Sequence, residues 1–198
     1  MLALWTSGCS TRTGPAESPP ASPADTRQAA FPDSPPESAH CQGKVFGHND
    51  IPHPQLGTVR VFLVVRPQAG NLNAGCVAAV AAGGQVLPTI DVETMPYALQ
   101  FADPVTDSTG NAFITFNPGR YDGVLVLVPS PHGFEDIGWN DSVQHLGGRL
   151  AYYDADLQGI GADGRYTIRQ DRNTCIPNCA TGTIPSLTLH WNGLQYVP

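Results

Sequence analysis

His48, Asp50 and His53 fall within the short run GHNDIPHP. Two imidazoles and a carboxylate this close could grip zinc or copper, because histidine offers a borderline-soft nitrogen and aspartate a hard oxygen. Pro52 and Pro54 predict a loop rather than a helix or strand, so nothing in the backbone aims the three side chains at one point. The expectation is a polar loop with two surface histidines and neither metal nor cofactor. His48, Asp50 and His53 remain the weak candidates for ligands if a metal is held.

A second run, DADLQGIGADGR (154–165), partly mimics a calcium loop, with Asp154, Asp156 and Gln158 at alternate positions and Gly159 at the sharp turn. Arg165 stands where the bidentate glutamate should be. A cation in that place repels calcium, so a hairpin turn through Asp163 and Gly164 is the better reading. For nucleophilic chemistry, Cys76 with His132 or His145 could form a thiol and base, but the flanks GCVAAV lack the electropositive surroundings that lower a thiol pKa. Neither GxSxG nor SxxK occurs, and the lone lysine, Lys44, removes the usual Ser/Lys arrangements. Glu93 and Glu135 are the only glutamates after residue 40, and Asp122, Asp136 and Asp141 sit in turn-like contexts. No catalytic residue is assigned, and the chain is not expected to be an enzyme.

Aromatic side chains offer a different chemistry. Rings on a sheet surface suit glycan or lipid recognition, although strands attract aromatics for packing as well. Tyr121 and Phe134 are weak binding candidates of this kind, and Trp139, in the loop GFEDIGWND, is the strongest, because a loop tryptophan more often touches a partner.

The elements that must hold these residues are short. The richest apolar segments are VRVFLVV (59–65), CVAAVAA (76–82), FITF (113–116), VLVLV (124–128), LAYY (150–153), YTIR (166–169) and LTLHW (187–191), separated by Gly- and Pro-bearing turns. Their β-branched and aromatic content predicts strands and hairpins. VLVLV is apolar on both faces and should be a central strand, whereas SLTLHW and RYTIRQ alternate and should each keep a wet face. CVAAVAA could make a helix turn, and ETMPYALQF (93–101) places a proline at a first helical turn. The fold class expected is mainly β, an antiparallel sandwich or barrel-like sheet, with room for one or two short helices on one face.

Composition sets the surroundings. The 198 residues are 14% charged, carry a net charge of −7 and include 21 Gly and 19 Pro. That balance argues against nucleic acid as a partner, since phosphate binding needs cationic surface. No apolar run approaches the ~18 residues that span a bilayer. Residues 1–9, MLALWTSGC, read instead as the remnant of a lipoprotein signal, with small Ser7 and Gly8 before a lipidated Cys9. The run is short and no basic residue precedes it, so Met1 is expected to lie inside a longer signal or to follow a truncation. Residues 10–40 hold seven prolines and one large apolar residue, Phe31, and read as a disordered Pro/Ser/Ala-rich linker. Residues 41–198 are then one extracytoplasmic domain.

With Cys9 set aside, Cys41, Cys76, Cys175 and Cys179 remain. An even count in an exported domain predicts two disulfides, for which three pairings exist. The tight turn TCIPNC favours Cys175 with Cys179, leaving Cys41 with Cys76.

The segments TGNAFITFNPGRYDGVLVLVP, HGFEDIGW, TCIPNCATGT and LTLHWNGLQYVP, behind a lipobox and a Pro-rich spacer, resemble the LppP/LprE lipoproteins of mycobacteria and related actinobacteria. The resemblance covers roughly residues 108–198 and the N-terminal layout. It implies a lipid-anchored protein at the cell membrane and carries no catalytic residue over. The expected function is a non-catalytic, monomeric β-rich head that binds an envelope lipid, glycan or partner protein, attached to the membrane through an acyl chain such as palmitate. The alternatives are an enzyme acting on cell-wall material, hydrolase or transpeptidase-like, and a metal-sequestering lipoprotein.

Overall fold

The computed structural model describes residues 31–67, 73–95, 97–119, 121–137, 151–173, 177–178, 181 and 185–198. Cys9, Trp139, His145, Cys175 and Cys179 lie outside the described residues. Among the described residues, twelve strands form three four-stranded antiparallel sheets, each a run of consecutive strands. The first sheet takes β1 (Lys44–His53), β2 (Gly57–Pro67), β3 (Asn73–Ala81) and β4 (Ile90–Thr94). The second takes β5 (Gln100–Thr106), β6 (Ala112–Phe116), β7 (Gly123–Ser130) and β8 (Gly133–Asp136). The third takes β9 (Ala151–Leu157), β10 (Ile168–Asn173), β11 (Ser186–Trp191) and β12 (Tyr196–Val197).

The period-two alternation of strands decides how these sheets stack. In β7, Leu125 and Leu127 join the core shared with the first sheet, while Val124 and Val126 join the core shared with the third. VLVLV is thus central, buried on both faces as its composition predicts. β6 behaves alike, with Ile114 in the first core and Phe113 in the second. β2 also has two apolar faces. Val59, Val61, Leu63 and Val65 enter the first core, and Phe62 and Val64 pack on the outer face with Cys76, Ala78 and Val80. The mainly β, antiparallel class holds, and the form is a stack of three sheets rather than a closed barrel.

Among the described residues the only helix is a single 3-10 turn, Glu37–Ala39. CVAAVAA lies in β3, because its alanines fill shallow space on both faces, Ala79 and Ala81 inward and Ala78 outward. ETMPYALQF is no helix either. β4 ends at Thr94, the chain turns with the Ala98 N–H on the Met95 carbonyl at 3.2 Å, and β5 begins at Gln100.

Residues 31–40 belong to the stretch read as linker, yet they lie on the first sheet. Phe31 stacks on the Arg60 guanidinium at 5.0 Å, Arg60 donates to the Pro32 carbonyl at 3.2 Å, and Ala39 is buried against the outer face. Cys41 then bonds to Cys76 of β3. Aromatic stacking and the buried bridge offset the entropy of ordering these ten residues.

Candidate functional site

The structure separates the proposed metal ligands. GHNDIPHP is part of β1 and not a loop, so its side chains alternate between faces. His48 and Asp50 face outward, His48 beside the Phe62 ring and Asp50 in a bidentate pair with Arg60 at 2.7 and 2.8 Å. The Arg60 hydrogen bonds hold the Asp50 carboxyl below its ordinary pKa, against a smaller opposing effect of burial. His53 faces the opposite way and is buried, its Nδ1 accepting from the Gln55 and Leu56 N–H groups. The proton must then sit on Nε2, which donates to the Gly133 carbonyl at 2.8 Å. His53 is a structural clamp between β1 and β8. His53→Ala strands these three backbone groups and should cost about 1–3 kcal/mol in urea unfolding.

Other candidates dissolve for similarly local reasons. Cys76 is oxidised in its bond to Cys41 and both are buried, so the thiol–base reading has no nucleophile. Phe134 is a buried core residue, edge-on to His53 at 5.2 Å. Tyr121 is half-buried against the same core, its phenol pushed up by burial and then by Glu93.

The calcium-like run is split as well. Asp154 and Asp156 belong to β9, and only the part beyond it turns, with Gly164 at φ 75°. The two strand aspartates meet Asp122, their carboxylate oxygens within 4.8 Å of one another. This corner is already engaged within the chain. Asn117 donates to Asp122, the Asp122 N–H donates to Asp154 at 2.6 Å, and Arg169 pairs with Asp156. Burial raises the Asp154 carboxyl, and Asp156, Asp122 and Asp171 add to the rise, while the Asp122 N–H opposes it. A carboxyl raised on folding destabilises the fold above its folded pKa and is neutral below its unfolded one. Asp154→Asn keeps the acceptor for Asp122, so it should raise the melting temperature at pH 7. That gain should vanish as the pH falls through the ordinary carboxylate range.

A concavity with a mainly apolar lining lies where two sheet edges meet. β1 and β5 are the outer strands of the first and second sheets and lie against each other. Between them runs a groove of about 350 Å³ lined by Phe46, Gly47, Leu63, Tyr97, Leu99, Gln100 and Phe101. Its geometry begins with a β-bulge. Val45 pairs with Val64 and Gly47 with Leu63, which leaves Phe46 as the extra residue. Past the bulge, His48 and Asp50 face outward while Ile51 and His53 face inward. The uninterrupted alternation would put Phe46 outside with His48; the bulge inverts it and packs Phe46 against the first core.

Tyr97 completes the opposite wall. It is 67% exposed and holds a left-handed φ of 67°, with the Gln100 amide donating to its carbonyl at 2.8 Å. Its ring stands edge-on to Phe46 at 5.3 Å, and Lys44 Nζ lies 4.8 Å from the Phe46 centroid and 5.6 Å from that of Tyr97. None of Lys44, Phe46 and Tyr97 belongs to a motif legible in the sequence. Gly47 directly after Phe46 was the available signal, since a glycine inside a strand pattern marks a bulge.

Compared with known protein families, curated proteins and solved structures, the chain finds no match.

Proposed function

We propose that this chain is a lipid-anchored, extracytoplasmic protein of the cell envelope whose β-rich head binds a ligand without catalysing a reaction. The observation that carries the reading is the Cys41–Cys76 disulfide, which joins the segment leading in from the candidate acylation site Cys9 to β3. Buried disulfides persist in oxidising compartments, and a head held away from a membrane benefits from a fixed exit point for its spacer. The resemblance to LppP/LprE lipoproteins supports the same address. Binding rather than catalysis is supported by the aromatic groove and by the oxidation of Cys76, the thiol weighed beside His132 and His145.

Intact-mass analysis of the membrane-extracted protein, before and after reduction, tests the address. Fatty chains on Cys9 and a mass gain from reduced bridges are the expected result. Recovery from the cytosol with free thiols and no acyl chain would overturn the proposal.

A further inference from the structure

We infer that the groove between β1 and β5 binds a single-chain lipid with an anionic end, its chain along Phe46, Leu63, Leu99 and Phe101 and its charge at Lys44. The inference rests on the reading of the head as a binding module and names the ligand class. Three independent features of the chain converge on the groove. The bulge at Phe46 turns an aromatic ring inward at a sheet edge, and bulges recur where a side chain has to be re-aimed. On the facing side, Tyr97 keeps a large ring exposed on a left-handed backbone that aromatic residues rarely adopt. And the sole lysine of a chain with net charge −7 stands beside both rings.

The lining selects among ligands. A glycan needs several convergent hydrogen-bonding groups beside its aromatic platform. Here the polar side chains lining the groove are two, the Tyr97 phenol and the Gln100 amide, and one amide donor of Gln100 is used on the Tyr97 carbonyl. Leu63 and Leu99, both 2% exposed, offer an apolar floor. An apolar lining with one cation beside its two aromatic rings matches an acyl chain bearing a carboxylate or phosphate.

Gly47 supplies a discriminating variant. A Cβ built there meets nothing nearer than Phe101 Cε2 at 4.0 Å, so a side chain at this position grows into the groove without a clash. Valine also suits a strand. The test uses the full chain carrying Cys9→Ser, so that no attached acyl chain competes, and a dansyl-labelled undecanoate kept below its micellar concentration. Saturable fluorescence enhancement, displaced by dodecanoate, is the expected result. Gly47→Val and Tyr97→Ala should each weaken binding about tenfold or more with an unchanged circular dichroism spectrum and melting temperature. Lys44→Glu should weaken displacement by dodecanoate about tenfold and leave displacement by dodecanol as it was.

No saturable binding by the folded, oxidised protein would overturn the inference, as would full binding by Gly47→Val. Sedimentation with phosphatidylglycerol vesicles in the absence of monomer binding would overturn it too, since the groove would then be bypassed by a bilayer surface. These outcomes are separable from the address. Probe binding by a protein whose natural form lacks acylation sinks the anchor alone, and an acylated, oxidised protein whose Cys9→Ser form ignores the probe sinks the groove alone.

Discussion

Replacing Phe113 with alanine should lower the unfolding free energy by about 3–5 kcal/mol, the range for emptying a buried phenylalanine site. Phe113 is fully buried in β6, and its ring meets Tyr166 at 4.7 Å and Tyr196 at 6.4 Å. Those two tyrosines belong to the third sheet's side of the second core, so Phe113, with Val124 and Val126, links that sheet to the middle one. The hydroxyls cannot close the gap. Tyr166 donates to the Pro104 carbonyl at 2.8 Å and Tyr196 to the Tyr166 carbonyl at 3.1 Å, which ties both rings to their present places. For a chain of this length each lost kcal/mol lowers the melting temperature by roughly 2–4 °C. Phe113→Leu, which keeps most of the apolar volume, should lose much less. Equal losses for leucine and alanine would show that ring contacts, and not filled volume, hold the third sheet.

Removing the disulfide by Cys41→Ala with Cys76→Ala should cost about 4 kcal/mol, because the bridge spans a sequence separation of 35 and the lost chain entropy scales with the logarithm of that loop. The loss has a location. Ala39 and Cys41 cover the outer face of the first sheet over Phe62, Val64, Ala78 and Val80. Limited proteolysis of the double variant should therefore cut first within residues 31–43, with the sheets still protected. A stability unchanged from the parent would mean that packing alone seats the segment.

Local pattern made parts of this fold readable and hid others. VLVLV and SLTLHW declared their surroundings, because a run apolar on both faces has to be central and an alternating run has to keep one face wet. GHNDIPHP misled because proline argues against strands, yet β1 is an edge strand, where a missing N–H breaks no ladder. The Asp103–Pro104 bond sits in β5, the matching edge of the second sheet. CVAAVAA misled because alanine favours helices in isolation, whereas in β3 its small side chains let two apolar faces close. The groove was the least readable part. Lys44, Phe46 and Tyr97 come together only through a bulge and a turn, and neither leaves a period in the sequence.

The bridge between Cys41 and β3 also decides how the head responds when its N-terminal end is pulled. Without it, traction would arrive at Lys44, the first residue of an outer strand, and peel β1 away one hydrogen bond at a time. With it, the load enters β3, which is bonded to β2 on one side and β4 on the other. Two ladders then have to shear together, so a head pulled at its N-terminal end keeps its outer strand, and with it Phe46, in place.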